Sequence, residues 1–522
     1  MTVELTTQPQ TEPQGHEQDD DRVFHFCCFG NFSGNREPSD TWDAFPVNRN
    51  SWDKLFETLN VSLQLSIQLP NVDDMDLSLS FDSLEAFSEK RIVKAVPLLA
   101  GLKALHQAVS GANSENPLTL GPLLENYPAL RVAKGLAEAS DEGQVLDLLN
   151  MVDIGEDQDQ MRLPKLKALF AGSSYDGNQR SKLAAEIDQV SSLILEQIQE
   201  DPTFNALYGR WRVLKQFLPL LNVRLSLVDC IKEDLCDAVF SLCIKPDQGE
   251  PQPLDLAFFC DEFADTEPDR HTLFHLGRMA DSLAAPFILN ASASVFGCKH
   301  WRHLTHLRDI SGRIASPERV KWRKLREAPG ARWLFLALSP IAMTPGDQDE
   351  GGDESPTAPA SAYPALLLGS RLAGEGWPGE LLHPGHQLDF ATACLAQLDE
   401  QQGYDLAYEG FAAVSGKPNG DRLYLLGMFA FSRIMMPASE SLEAANLVEH
   451  TLACRFYAGA CSRFLMANQG HPQLLSLLKK YAAIRDDSGL QVEEADGQQI
   501  YRLKPGFTIL GVQPDVVLAL DA

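Results

Sequence analysis

Two groups of histidines have spacings that bear on metal binding. His271 and His275 lie four residues apart, which places both imidazoles on one face of a predicted helix. No Glu follows His271, so the pair lacks the HExxH pattern of zinc hydrolases. His300, His303 and His306 recur every third residue, which spreads them around a helix, and neighbouring Lys and Arg side chains repel a cation. The sequence therefore predicts surface or interface histidines in both groups and no metal site.

The ten cysteines include no CxxC pair. Cys230, Cys236 and Cys243 are spaced more widely than the ligands of a zinc knuckle. Most of the cysteines lie among apolar residues, which predicts buried free thiols in a reducing cytoplasm. One alternative of a different class stays open at this point: a cytosolic metal- or thiol-dependent enzyme that uses the first histidine pair or the region of these three cysteines.

The glycine-rich stretches do not complete a nucleotide-binding motif. Residues 374–379 formally match GxGxxG, but the preceding run is predicted to be helical, whereas the dinucleotide fingerprint follows a strand. Residues 30–34 follow a predicted strand, but no Gly-Lys-Ser/Thr comes after them. Gly410 to Gly416 and the following Lys are one residue too long for a Walker A loop. The sequence therefore predicts no catalytic or cofactor-binding residues and no cofactor.

The composition bounds the class of protein. The chain has 522 residues, of which 44% are hydrophobic, which predicts a large core and several domains. Its formal net charge of -28 would repel nucleic acid and anionic membranes, so neither is an expected partner. The first residues are polar and acidic, unlike a signal peptide, and no run reaches the roughly 20 apolar residues needed to span a bilayer. We expect a bacterial cytoplasmic protein without direct membrane insertion.

The uncharged stretch 283–297 organises the predicted elements. Apolar residues before it recur at helical spacing, and Pro286 should end that helix because it lacks an N–H and clashes with the preceding turn. Residues 287–289 are predicted to form a short buried strand. A helix that leads into a buried strand is typical of an α/β layer, so we expect an α/β fold with mixed sheets flanked by helices.

Further elements follow from periodicity. Strands are predicted at 23–29, 61–69, 223–228 and 254–259, and terminal strands are predicted in the tail around 499–520. Residues 183–199 form an amphipathic helix, and Asp201-Pro202 should cap a second helix. The only strong basic cluster, which begins at Lys321, could bind nucleic acid, but a structural or interface role is favoured because Arg can stack on Trp322 or pair with carboxylates of a neighbouring subunit.

Several motifs resemble those of the large (TssC/VipB-like) contractile sheath subunit of type VI secretion systems. In chain order they are Asp201-Pro202, Gly209 to Leu214, Ala285 to Ile288, Ala291-Ser292, Phe296-Gly297, Lys321 to Arg323, Arg326-Glu327 and a Pro505-containing tail. From these motifs we take structural or interface candidates, which are Pro286, Phe287, Phe296, Gly297, Lys321, Trp322, Arg323 and Arg326.

The N-terminal part resembles the small (TssB/VipA-like) sheath subunit. The similar features are a strand leading into residues 30–34, then residues 47–50 before a helix, residues 81–87 and residues 96–99; that family usually has Asp where this chain has Asn31. The chain therefore resembles a fusion of the two subunits. The predicted regions are a disordered acidic tail (1–21), a small-subunit-like domain (22–112), a connector (113–180), a large-subunit-like core (181–345), an acidic and Pro-rich loop (346–364) and the remainder with C-terminal strands (365–522).

The resemblance implies a contractile tail-sheath-like fold and a mechanical function without catalysis. Protomers of the family form six-membered rings that stack helically around an inner tube, and contraction propels tube and spike for effector delivery. The implied partners are further copies of the chain, the inner tube protein, baseplate components and a disassembly ATPase. An alternative within the same machine is a sheath-like accessory or capping protein.

Overall fold

The computed structural model describes residues 4–6, 24–68, 75–111, 177–221, 223–246, 249–252, 254–283, 285–342, 357–375, 393–416, 423–428, 431, 490–495, 498–503 and 517–521. They fold into two compact units. The first comprises Met1–Phe32, Arg36–Leu55 and Gly209–Ala522, and the second comprises Ser33–Asn35 and Phe56–Tyr208.

The first unit contains an eight-stranded mixed sheet. Its strands, in spatial order, are β14 (Leu423–Met428), β13 (Phe411–Gly416), β9 (Leu334–Leu338), β8 (Phe287–Ala291), β7 (Leu256–Phe263), β2 (Phe24–Gly30), β6 (Val223–Asp229) and β3 (Ala44–Val47). The strands from β13 to β6 are parallel, whereas β14 and β3 pair antiparallel at the two edges. The sheet core is apolar, as expected of parallel strands covered by helices on their faces.

The described residues form eleven α-helices, two of them of five residues, besides short 3-10 and π segments. They are α1 (Trp52–Leu59), α2 (Glu89–Ala95), α3 (Pro97–Gly111), α4 (Gly177–Glu200), α5 (Pro202–Lys215), α6 (Leu235–Val239), α7 (Glu267–Leu283), α8 (Ile310–Ile314), α9 (Val320–Arg326), α10 (Ala362–Glu375) and α11 (Glu400–Tyr408). In the first unit, α10 packs on β6, β7 and β8, and α7 packs on β8 and β9.

The second unit combines a two-stranded antiparallel sheet with helices. β4 (Ser62–Ile67) pairs with β5 (Met75–Ser80), and α3 packs against α4. Phe81 and Phe87 stack with ring centroids 3.9 Å apart, and Phe204 lies against both rings. The alternating apolar residues of β4 are buried, as the period of two predicts.

Two smaller sheets complete the first unit. One joins β11 (Thr357–Ala358), β10 (Ile341–Ala342) and β12 (Ala393–Cys394); the other joins β1 (Glu4–Thr6), β17 (Val517–Asp521), β16 (Gln498–Leu503) and β15 (Leu490–Ala495). β1 pairs parallel with β17, from Glu4↔Val517 to Thr6↔Ala519. Within the predicted disordered tail (1–21), which stays a prediction as a region, Glu4–Thr6 form a strand whose backbone partners lie about 510 residues away in sequence, where local composition cannot indicate them.

The predicted fold class, α/β with mixed sheets flanked by helices, is confirmed. α7 ends at Leu283, before Pro286, and Asp201 caps α5 by accepting hydrogen bonds from the N–H groups of Thr203 and Phe204. The terminal strands predicted from the tail are β16 and β17. The predicted connector (113–180) and the acidic loop (346–364) lie largely outside the described residues, and the predicted domain boundaries stay a prediction.

Candidate assembly site: the clasp around strand β2

Strand β2 lies between β6 and β7 in the middle of the large sheet. All seven of its residues pair with β6, from Phe24↔Val223 to Gly30↔Asp229, and four of them pair with β7, from Phe26↔Leu256 to Phe29↔Phe259. Phe29 and Phe259 stack with ring centroids 5.1 Å apart. The segment that resembles the small sheath subunit thus supplies an interior strand to a sheet built mainly from the region that resembles the large one.

The turn after β2 is held by three consecutive polar interactions. The Arg210 guanidinium donates to the Asn31 carbonyl at 2.7 Å, and the Trp211 indole N–H donates to the Phe32 carbonyl at 3.1 Å. The Phe32 N–H donates to a carboxylate oxygen of Asp229 at 2.6 Å. We call these side chains of Arg210, Trp211 and Asp229, which grip residues 31 and 32, the β2 clasp.

The clasp contains charged groups that pair with one another. Arg210 also pairs with Asp261 at 3.3 Å, and Arg36 lies 3.6 Å from Asp229. Burial raises the pKa of the Asp261 carboxyl, and the positive charges of Arg210 and Lys232 oppose that rise. A guanidinium that serves both a backbone carbonyl and a buried carboxylate is costly to remove, because both acceptors would lose a charge-assisted hydrogen bond.

Trp211 is the aromatic centre of the clasp. It is fully buried and makes edge-to-face contacts with Phe32 and Trp52, at centroid distances of 5.8 and 5.6 Å. Gly209, one residue earlier, approaches the backbone so closely that a Cβ would lie 1.9 Å from the Thr357 carbonyl oxygen. These contacts give physical roles to the motif from Gly209 to Trp211, which sequence reasoning singled out only by resemblance. Two features of the sequence could have indicated these contacts. Arg210 directly precedes Trp211, and Asp229 directly follows the strand predicted at 223–228.

Buried thiols lie close to the clasp. Cys28 of β2 and Cys260 of β7 have their sulfur atoms 3.6 Å apart, and burial raises the pKa of the Cys28 thiol, with a further contribution from Cys260. Burial also raises the pKa of Cys243 to about 12. Eight described cysteines are free. Thiols held protonated in this way are poor nucleophiles and poor metal ligands, so they act as small apolar core residues.

Helix α9 carries the basic cluster, and much of its charge is paired within the chain. Lys321 lies 2.7 Å from Glu267, and Arg323 donates to the Ala315 carbonyl at 2.7 Å. The hydrogen bonds from Lys321 and Arg270 lower the pKa of Glu267 to about 2. The sequence suggested that arginines of this cluster stack on Trp322 or pair with carboxylates of a neighbouring subunit, and contacts with other subunits stay a prediction. Within the chain, Lys321 pairs with a carboxylate in the first turn of α7.

The other two candidate residues of α9, Trp322 and Arg326, are buried. Trp322 has no exposed surface and meets Phe431 edge to face at 5.0 Å. Arg326 is 6% exposed; it donates to the Phe431 carbonyl and lies 3.0 Å from Glu409. Trp322 and Arg326 therefore anchor α9 within its own chain, through Phe431 and Glu409. Their role in an interface between protomers stays a prediction.

Of the four candidates in the stretch 283–297, Pro286, Phe287 and Phe296 are buried and Gly297 is exposed. Phe287 and Phe296 are fully buried and pack against Phe259 and Phe411, at 5.3 and 5.0 Å between ring centroids. The Pro286 carbonyl accepts from the Ala257 N–H at 3.1 Å. Gly297 ends a short 3-10 helix (Ala293–Phe296) with a φ of 72°, a left-handed conformation that favours glycine.

The two histidine groups differ in arrangement. On α7, the Nε2 atoms of His271 and His275 are 3.1 Å apart, and burial lowers the pKa of His275, helped by His271 and Arg278. His300 and His303 lie edge to face, with ring centroids 5.4 Å apart. Within the described residues, no group of three or more His, Cys, Asp and Glu side chains is placed to hold a metal ion. In that same part of the chain, none of the helices combines the length and the apolar character that crossing a membrane requires.

Comparison with known proteins gives two kinds of match. The VipB family model, described as EvpB/VC_A0108, tail sheath N-terminal domain, matches residues 181–346. The type VI secretion system sheath protein TssC1 of Pseudomonas aeruginosa is 25% identical over 198 residues, which cover 32% of this chain and 40% of that protein. The chain thus spans two fifths of the length of this curated relative.

Among solved structures, a chain of the six-fold symmetrised cryo-electron microscopy structure of the anti-feeding prophage baseplate is similar over 62% of this chain and 77% of its own length. The identity is 13% and the TM-score is 0.28, so this likeness carries no weight for fold or function. The region matched by the family model contains β6, β7, β8 and β9 of the large sheet, together with Arg210 and Trp211 of the clasp. Residues 181–346 are thus similar to the N-terminal domain of the VipB tail sheath family.

Proposed function

We propose that this chain is a sheath protomer of a type VI secretion system in which the small- and large-subunit regions are joined in one polypeptide. The position of β2 is the observation that carries the proposal. This strand comes from the region that resembles the small subunit, and it lies between β6 and β7, which both belong to the matched tail sheath domain. A strand bordered on both sides is an integral part of the sheet, as expected of two subunits that function as one unit.

In this function the protomer is a rigid building block. Copies assemble into six-membered rings that stack helically around an inner tube, and the assembled sheath contracts to propel tube and spike. Contraction requires two alternative packings of the same protomers, with the extended one storing free energy. The apolar sheet and the β2 clasp support this proposal because they keep the protomer itself unchanged while its contacts with other copies rearrange.

The terminal sheet supports assembly through strand exchange, which the family resemblance implies. Of the described strands, only β17 borders β1, which contributes three residues to the edge of this sheet. An edge strand of this kind can leave its own protomer and add to the sheet of a neighbour, where the same backbone hydrogen bonds form. The inner tube protein, baseplate components and a disassembly ATPase are the further partners in this proposal, which places the protein in the bacterial cytoplasm.

The proposed role is structural. The family is one of sheath proteins rather than of enzymes. The buried thiols and the intrachain pairing of the α9 cluster support the same conclusion, because they leave these groups committed to the core or to each other. Negatively charged as a whole, the chain is also a poor match for nucleic acid.

Negative-stain electron microscopy of the purified full chain, alone and with its tube protein, tests the proposal. We expect hollow particles with six-fold symmetry. A matched pair of variants sharpens the test: Trp211→Ala should abolish the particles together with the protomer fold, whereas Lys324→Ala, at an exposed position of α9, should leave both intact. A compact monomer under all conditions would contradict the proposal, and six-fold caps without tubes would indicate an accessory protein of the same machine.

A further inference from the structure

His271 and His275 face each other on the solvent side of helix α7. His271 is exposed and His275 is partly exposed. Their Nε2 atoms are 3.1 Å apart, and the ring centroids are 4.3 Å apart. On the opposite side of the helix, Leu273, Leu276 and Ala280 are buried. The core side of α7 therefore fixes the backbone, and the backbone fixes the four-residue separation of the two imidazoles.

The distance between the two nitrogen atoms has a specific chemical meaning. A metal ion binds imidazole nitrogen at about 2.0–2.1 Å. Two such ligands at the angles of square-planar or tetrahedral coordination are separated by roughly 2.8–3.4 Å. The observed 3.1 Å falls in this range. Without an ion the two Nε2 atoms share a hydrogen bond in which one ring donates. An ion between them would take the place of that proton, and the donating ring would then carry its proton on Nδ1, with no change in the backbone.

We propose that His271 and His275 form a bidentate site for a borderline divalent transition-metal ion, of the class of Cu²⁺, Ni²⁺ and Zn²⁺. Imidazole nitrogen suits these ions, whereas Mg²⁺ and Ca²⁺ prefer oxygen ligands. Since the described residues offer no group of three potential ligands, the protein supplies two donors, and water or a small ligand takes the remaining positions. The site has no neighbouring general base of the HExxH type, so metal binding and not hydrolysis is assigned to it.

This inference changes the interpretation that spacing alone supported. The absence of HExxH excludes one class of zinc enzyme, but it does not bear on a two-histidine chelate. The chain provides an internal contrast, since His300 and His303 lie edge to face with their centroids 5.4 Å apart and are not arranged as a pair of ligands. Arg278, three residues after His275, is the positive side chain whose repulsion the site must tolerate.

The test uses the full chain without an affinity tag and Cu²⁺ held by iminodiacetate as the probe. This chelator leaves positions for two imidazoles and suppresses binding to isolated histidines. Electron paramagnetic resonance should detect one bound Cu²⁺ per chain with two imidazole nitrogens. His271→Asn and His275→Asn should each weaken binding about tenfold or more and leave a one-imidazole spectrum, because the second ligand no longer binds intramolecularly.

Two matched variants complete the experiment. The double variant H300N/H303N removes two histidines of similar sequence spacing and should bind the probe like the unaltered chain. Arg278→Gln should tighten binding, since it removes a nearby positive charge. Melting temperatures without metal should agree among all variants, because the changed side chains are exposed or partly exposed. Equal binding by the unaltered chain and by both single-histidine variants, or a one-imidazole spectrum for the unaltered chain, would overturn the proposal.

Discussion

Two strands from the first 30 residues enter the first unit in different ways. β2 pairs with β6 over all seven residues and with β7 over four, and the clasp holds the turn that follows it. Among the strands that the structure describes, β1 pairs only with β17, over three residues. An interior strand satisfies backbone groups on both of its edges, whereas an edge strand satisfies one. In the proposed function, β2 is therefore a permanent part of the protomer, and β1 is the strand proposed to exchange between protomers.

Splitting the chain between residues 172 and 177 separates β2 from β6 and β7, and this change should have the largest effect on solubility. Because β6 and β7 share no pairing except through β2, a piece that starts after the split and is expressed alone should expose two strand edges and aggregate. The piece that ends near residue 172 should also be poorly soluble alone. Co-expression of the two pieces should restore a soluble complex, which pull-down with a tag on either piece would detect.

The same experiment contains its own control. A shorter deletion that removes only residues 1–10, which include β1, should leave the remaining chain soluble. Two pieces that are each soluble and do not bind each other would show that β2 is dispensable. In that case the two regions would be ordinary tethered domains, and the fused-protomer proposal would lose its main support.

Trp322 is a reference for a buried anchor outside the β2 clasp. Its replacement by Ala should cost roughly 3–5 kcal/mol, the range for removing a large buried aromatic side chain. Chemical denaturation would measure the loss. Lys324→Ala, on the exposed side of the same helix, should change stability by less than about 0.5 kcal/mol. An unaltered melting temperature together with unaltered assembly for Trp322→Ala would refute the anchoring role.

A pair of Trp→Phe variants measures what the clasp hydrogen bond contributes. Trp211 donates its indole N–H to the Phe32 carbonyl, whereas the buried Trp322 indole N–H has no hydrogen-bond partner in the described chain. Trp211→Phe should therefore cost about 1–3 kcal/mol more than the loss of ring volume alone, because a buried carbonyl loses its donor. Trp322→Phe should cost less than about 1.5 kcal/mol. Equal costs at the two positions would mean that the clasp works by packing and not by hydrogen bonding.

Local structure was largely predictable from the sequence. Asp201 was identified as a cap, Pro286 as a helix breaker, and β2 and β4 by their apolar patterns, because each signal lies within a few residues of the element it controls. The order of strands was not predictable. Nothing in residues 24–30 indicates that β6, about 200 residues later, is their neighbour, since parallel pairing depends on tertiary contacts and not on local propensity.

The partners of charged side chains could not be predicted from the sequence either. The sequence identifies Lys321 and Arg210 as notable, but it cannot distinguish a carboxylate of a neighbouring copy from Glu267 or Asp261 of the same chain. An acidic chain offers many candidate partners, and only the fold selects among them. The His271–His275 geometry shows the same point, because the spacing of four was visible from the start and the facing Nε2 atoms were not.

The smallest effect on protomer stability, and the most selective test of the comparison, is expected from removing β1. Deletion of residues 1–10 takes away three residues that pair with one strand edge, so the melting temperature should change little. If β1 acts by adding to the sheet of a neighbouring copy, the same deletion should shorten or abolish the tubular particles, because each missing strand removes a link between protomers. Microscopy beside a melting curve separates the two effects. A large loss of stability would assign β1 to the protomer itself, like β2, whereas tubes of normal length would show that strand exchange does not hold the assembly together.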